Sequence, residues 1–393
     1  MTDLRISVRN TSEDGGTFLT PFYFGFHDGN FDLFDAGAVA SPGLEALAED
    51  GNFMPVAAER LAVSPDSQGL VVAGAGGPIA TQEFTSNTIS ANQNVNTYVS
   101  FGAMILPSND AFVGTDDAVK LFNANGTFLG AQTVVFEGTD VYDAGTEVNT
   151  ELDAAFINQT GPDTGVDENG VITLHPGFNG SAGNPVGEGD QIILGGTNAF
   201  GAAIDPIAAD FTLPGAQIAV VHINEVTERD GSDKRDVLRG DSSDDIVNAG
   251  DGNDLILGRS GWDVLNGDDG RDKIFAGRGD DIVDGGAGND KIAGGAGNDV
   301  LMGGTGNDLI FGGRGDDTFV FASGDGHDVI RDFDRRGDDK ISLDVDGVES
   351  LEDLLDYADQ AYHGVELDFG GDGSLLLKGV NLKSLTEDDF SFG

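Results

Sequence analysis

Hydrophobic residues follow two different rhythms along this chain, and the change of rhythm divides it. From Gly231 to Val320 an apolar residue recurs at every ninth position: Leu238, Val247, Ile256, Leu265, Ile274, Val283, Ile292, Leu301, Ile310 and Phe319. Two positions before each stands an aspartate: Asp236, Asp245, Asp254, Asp263, Asp272, Asp281, Asp290, Asp299, Asp308 and Asp317. Such a fixed period marks a stack of repeated units, each too small to bury its apolar residue alone. Each unit predicts a tight turn over its first six residues and a short strand over its last three, with the eighth position pointing into a narrow core. Glycine holds the fourth position from Gly252 to Gly315, whereas Lys234 and Ser243 hold it in the first two units, which read as degenerate terminal repeats.

Before the repeats, short apolar runs alternate with turn signals. Phe22–Phe26 and Tyr98–Leu106 are examples, and their spacing predicts a β-sandwich. One short helix is predicted from Ser41, with Ser41 as N-cap, Pro42 in the first turn and Gly51 beyond the end. Glu225–Asp230 reads as a linker.

After the repeats, Asp328–Phe333 looks like an out-of-frame half-unit and Lys340–Leu343 like a strand. Ser350 to Asp353 has capping-box spacing and predicts a helix. Val365–Phe369 and Ser374–Leu377, joined by Gly370-Gly371-Asp372-Gly373, predict a hairpin. Three segments follow: a sandwich over 1–229, the repeats over 230–333 and a small cap over 334–393.

Charge narrows the chemistry. The 393 residues carry a formal charge of −49, which disfavours nucleic acid and anionic lipid and favours cations. There is no cysteine, so neither disulfides nor thiolate metal sites are available. No run approaches the ~18 apolar residues of a membrane span. The N-terminus, Met1 to Val8, has neither a basic nor an apolar leader region, which argues against a cleaved secretory signal.

The unit Gly294-Gly295-Ala296-Gly297-Asn298-Asp299-Val300-Leu301-Met302 resembles the nonapeptide repeat of RTX proteins, as do its two successors. The resemblance implies a right-handed parallel β-roll with two units per turn, hence five turns, and several bound Ca²⁺ ions. Residues eighteen apart, such as Asp281 with Asp299 and Asp290 with Asp308, would then share an ion with turn carbonyls. The implied metal ligands are Asp245, Asp254, Asp263, Asp272, Asp281, Asp290, Asp299, Asp308 and Asp317. Stacked carboxylates repel without the ion, so folding and calcium binding are expected to be coupled. A disordered acidic linker would not need an apolar residue in every eighth position.

The end of the chain, Leu375–Val380 followed by Leu385–Phe392, resembles the terminal element of many RTX proteins, which implies export by type I secretion machinery. Residues 1 to about 225 resemble the spondin N-terminal domain through Thr20-Pro21, Gly25–Gly29, Phe31–Asp35, Ala40–Glu45, Pro107–Gly114 and Asp143–Glu147. That resemblance implies a C2-like sandwich of extracellular matrix and adhesion settings, and one further Ca²⁺ held by Asp110, Asp143 and Glu147. Glu147 stands where the family often has Asp, and the family's cysteines are missing.

No H-E-x-x-H or G-x-S-x-G is present, so the common RTX protease and lipase chemistries lack their motifs. The five histidines, His27, His175, His222, His327 and His363, are scattered. His27 beside Asp28 reads as a loop or structural histidine, and four Arg-Gly-Asp triplets read as by-products of a Gly- and Asp-rich sequence. The expectation is therefore an all-β, non-enzymatic, secreted calcium-binding protein: a C2-like β-sandwich, a β-roll and a small C-terminal cap, with a matrix or cell-surface ligand as partner. The alternatives are an RTX hydrolase with an unrecognised active site and a structural surface-layer or biofilm component.

Overall fold

The computed structural model describes residues 1–12, 17–74, 78–80, 84–106, 111–144, 171–174, 196–197, 203–204, 216–333 and 339–392. The chain divides into two compact units, Met1–Glu225 and Val226–Gly393.

In the first unit, two antiparallel sheets enclose one core. Thr2–Asn10 lies between Phe84–Ala91 and residues 217–225, and Gln132–Glu137 pairs on the far side of the latter. The second sheet runs Thr173–Leu174, Val141–Asp143, Ala111–Gly114, Tyr98–Leu106, Phe22–His27 and Gln68–Val72. Alternation places Leu4, Ile6 and Val8 of the first sheet against Phe22, Phe24 and Phe26 of the second. Aromatic rings fill the space between, with the Phe24 and Phe101 centroids 4.9 Å apart and Phe136 edge-on to Phe101.

The predicted helix is Pro42–Asp50: the Ser41 hydroxyl accepts the Leu44 N–H at 3.1 Å, and Gly51 closes the helix at φ 64°. A second helix, Met54–Val63, has no counterpart in the sequence reading, because Phe53 offers no capping side chain. Pro55 in its first turn and the run Val56-Ala57-Ala58-Glu59-Arg60-Leu61 were the available signals. Both helices pack beneath the second sheet, where Leu44, Leu47 and Val56 meet Tyr23 and Phe112. Tyr98–Leu106 is therefore covered on both faces, which is why it reads as a nearly unbroken apolar run instead of an alternating one.

The second unit is a parallel roll built at the repeat period. Leu255–Ser260, Lys273–Arg278, Lys291–Ala296 and Leu309–Arg314 stack in one sheet, each residue opposite the one eighteen further on. Asp244–Asn248, Val264–Asn266, Ile282–Asp284, Val300–Met302 and Thr318–Ala322 form the other. Every eighth-position residue from Val247 to Phe319 is at most 2% exposed, and together they form the core between the sheets.

The roll has about six turns over 226–344, one more than ten units give. Residues 226–230, read as a linker, instead form a strand parallel to Asp244–Asn248. At the other end Gly326–Ile330 and Lys340–Asp344 continue the two sheets. The hairpin Gly364–Asp368 with Gly373–Lys378 then adds to one sheet, and Phe390–Phe392 adds to the other through Ile341 opposite Phe390. Phe369, Leu385 and Phe390 close the apolar core, so the tail is the lid of the roll. Its helix, Leu351–Leu355, starts at Ser350, whose hydroxyl accepts the Asp353 N–H.

Candidate metal centre

The repeat aspartates form two columns along the roll, and their hydrogen bonds are regular. The N–H of each donates to Oδ1 of the aspartate one turn later: Asp254 to Asp272 at 2.6 Å, Asp272 to Asp290 at 2.7 Å and Asp290 to Asp308 at 2.7 Å in one column. Asp245 to Asp263, Asp263 to Asp281, Asp281 to Asp299 and Asp299 to Asp317 repeat this at 2.8–3.0 Å in the other. One carboxylate oxygen thus serves the backbone as part of the ladder.

The second oxygen does not. Oδ2 of Asp254, Asp272, Asp281, Asp290 and Asp308 is buried and has no hydrogen-bond partner. A buried oxygen of this kind is costly unless a cation or proton meets it. In Asp272, Asp290 and Asp308 this oxygen points to the first glycine of its own unit. A Cβ placed on Gly285 would lie 2.9 Å from Asp290 Oδ2 and 2.5 Å from the Gly303 carbonyl oxygen. At Gly267 the same position lies 2.8 Å from Asp272 Oδ2 and 2.5 Å from the Gly285 carbonyl. A side chain at Gly267 or Gly285 would fill this cradle, in which a carboxylate and a carbonyl from successive turns converge.

Turn backbones are bent to suit. Gly295 and Gly297 sit at φ 126° and 132°, and their carbonyls stack on those one turn away. Among the described residues, no three His, Asp or Glu side chains come together as a ligand set, so an ion held here must draw most of its oxygens from the backbone. Hard oxygen donors of mixed carboxylate and carbonyl type suit Ca²⁺, which takes six to eight of them.

The electrostatics fit the same reading. Burial, reinforced by Asp263 and Asp299, pushes Asp281 up to about 10. Burial also raises Asp272 and Asp290 to about 6 and Asp308 and Asp317 to about 7, partly offset by the backbone N–H each accepts. Asp245 moves upward for the same reason. Each proton is a stand-in for the positive charge the columns lack.

Two members of the columns escaped the nonapeptide scan. Asp308 N–H donates to Asp328 Oδ1 and Asp317 N–H to Asp339 Oδ1, each at 2.9 Å. Their partners lie twenty and twenty-two residues ahead, so insertions of two and four residues hide them from a strict period. The signal for Asp328 was the half-unit Asp328–Phe333; Asp339 precedes Lys340–Leu343 as each repeat aspartate precedes its strand.

In the first unit, Asp143 ends the strand Val141–Asp143 and is 6% exposed, whereas Asp110 and Glu147 lie outside the described residues. His27 is fully buried: its Nε2 pairs with Ser100 Oγ at 3.1 Å and its Nδ1 accepts the Gly29 N–H. Burial holds it down to about 4.

Comparison with known families agrees with this architecture. Residues 230–261, 257–292 and 293–330 match the RTX calcium-binding nonapeptide repeat. The repeats are RTX repeats. Residues 19–163 match the Spondin_N family, so a spondin-type domain precedes the RTX roll, and the repeats of that roll are calcium-binding. No curated protein matches the chain. Among solved structures, the extracellular lipase LipA from Serratia marcescens matches at 18% identity and a TM-score of 0.22. That match spans 42% of this chain and 40% of the lipase, and a likeness of that size carries no argument.

Proposed function

We propose that this is a secreted, non-enzymatic protein whose RTX roll folds around calcium outside the cell, and whose spondin-like domain attaches it to a matrix or cell-surface ligand. One observation carries the calcium half of this reading: the columns of buried aspartates whose Oδ2 atoms have no hydrogen-bond partner. Asp254, Asp272, Asp281, Asp290 and Asp308 are the proposed ligands with that feature, and Asp245, Asp263, Asp299 and Asp317 occupy the same place in their units. Asp328 and Asp339 extend the set at the far end.

Without the ion, each turn places another carboxylate beside those above and below, and the narrow core offers little burial to offset the repulsion. With Ca²⁺, the same oxygens become ligands. Extracellular calcium modules bind with Kd of ~10⁻⁴–10⁻³ M, which keeps such a roll open in a calcium-poor cytosol and closes it after export. The lid formed by the last residues is the proposed type I secretion signal. In the cytosol the roll it covers would be unfolded and the signal free to be read.

Asp110, Asp143 and Glu147 are the proposed single calcium site of the spondin-like domain, and the loops of its sandwich the ligand-facing surface. Support for adhesion is the family match alone.

Trp262, the only tryptophan, lies in the roll, with its backbone N–H donating to Asp244 Oδ1. Its fluorescence therefore reports on the roll. Titrating the full chain with calcium should shift Trp262 emission and add β signal in far-UV circular dichroism with a sub-millimolar to millimolar midpoint. No response, or an equal response to magnesium, refutes the reading.

A further inference from the structure

One face of the roll differs in charge from the rest of the molecule. In the sheet containing Leu255–Ser260 and Lys273–Arg278, the side chains on either side of each buried eighth position point outward. From Val237–Arg239 to Gly373–Lys378, seven strands present Arg239, Lys273, Lys291, Arg331 and Lys378 at these positions and not one Asp or Glu. Five of the chain's 20 basic residues thus line a single strip of a protein with 69 acidic ones. The opposite sheet shows Asn248, Asn266 and Asp284 at comparable positions.

Lys273 and Lys291 are exposed, stand in register on adjacent strands and make no salt bridge among the described residues. Phe275 is 48% exposed beside them, and Phe311 stands two strands away with the Arg331 guanidinium 5.5 Å from its ring centroid. One exposed ring, Phe275, and one half-buried ring, Phe311, among cations on a rigid sheet make a binding surface.

We propose that this strip binds a linear acidic polysaccharide, with carboxylates on the lysines and sugar rings against the phenylalanines. Shape favours this class. The strip is two side chains wide, ~7 Å, and ~29 Å long, which suits one extended polymer laid across the strands. Lys273 and Lys291 stand one strand spacing apart, ~4.8 Å, as do Arg331 and Lys378, while the strands of Leu255 and Leu309 carry no cation at these positions. A chain of pyranose rings repeats once per ring, close to the strand spacing. Charge-assisted contacts to the carboxylates would add to stacking on the rings. All the residues of this surface belong to Val226–Gly393, so it needs only the folded roll.

The test uses the full chain in millimolar calcium, with Trp262 emission recording that the roll is folded. The probe is a short oligosaccharide of alternating glucuronic acid and N-acetylglucosamine, measured by calorimetry at two salt concentrations. Binding that weakens with salt, falls at least tenfold in the double variant Lys273→Glu, Lys291→Glu and falls several-fold in Phe275→Ser supports the strip. The inference is overturned if wild type with its roll folded does not bind, or if the variants bind equally. It is also overturned if poly-glutamate or anionic vesicles bind more tightly than the sugar. A missing Trp262 response would instead count against calcium folding, so the two readings fail separately.

Discussion

Asp290 donates its backbone N–H to Oδ1 of Asp308 at 2.7 Å, while Oδ2 of Asp308 is buried with no partner. The carboxylate is half ladder and half empty ligand, and the two halves can be separated by mutation. Asp308→Asn keeps an acceptor for the Asp290 N–H but removes the charge. The calcium midpoint read from Trp262 should rise about tenfold, equivalent to ~1.4 kcal/mol. The metal-free chain should be no less ordered, because a buried charge has gone.

The columns also set a pH dependence. Asp272 and Asp290 titrate near 6 in the folded, metal-free roll, and Asp308 and Asp317 near 7, above the ordinary carboxylate value. Through these four groups the folded metal-free state binds more protons than the unfolded chain between about pH 4 and 7 and loses stability as pH rises through that window, and Asp281, pushed up to about 10, extends the loss to higher pH. Without calcium, circular dichroism should show more β structure at pH 5 than at pH 7.5. With calcium the sense reverses: protons compete for the same oxygens, and the midpoint should rise as pH falls from 7.5 to 5.5.

At Gly295, in the second position of its unit, glycine is favoured by both backbone and space. Gly295 sits at φ 126°, and a Cβ there would meet the Gly277 carbonyl oxygen at 2.3 Å. Gly295→Ala should destabilise the calcium-loaded roll by at least ~2 kcal/mol, since it adds strain to a steric clash. Chemical denaturation followed by Trp262 would measure this. Ala296→Ser, on the neighbouring half-buried position, is the control and should leave the midpoint within ~0.5 kcal/mol.

In the spondin-like domain, His27 is buried and held near 4 against an ordinary 6.5. A depressed histidine contributes stability that is complete above about pH 6.5 and is lost as pH falls toward 4. The full effect is ~3 kcal/mol. Thermal melts followed by near-UV tyrosine dichroism, where Tyr98 stacks on His27, should show the midpoint dropping across that window. A flat profile would show that His27 takes up its proton in the folded domain as readily as in the unfolded chain, and would overturn the depressed value.

Much of the roll was legible because its information is local and repeated. Position six is always Asp, position eight always apolar, and the first glycines permit the turn, so a single unit predicts its own strand, its core residue and its ligand. The helix from Ser41 was legible for a similar reason: cap, proline and terminal glycine all lie within eleven residues. The helix Met54–Val63 was not, because its start carries no cap and its buried face is defined only by Tyr23 and the sheet above it.

What the sequence alone determined about this protein is the period, with its recurring apolar and aspartate positions, and the resemblance to RTX repeats that the period carries, which implied the parallel stack, the aspartate columns and the class of ion they suit. Tertiary structure alone decided where the stack begins and ends. Val226 to Asp230 join the roll because a free sheet edge offers them a parallel partner. Asp328 and Asp339 join the columns because pairing tolerates loops of two and four extra residues between strands. Hydrogen-bond register is fixed by the strand already in place, so a position can belong to the repeat in space after it has left the repeat in sequence.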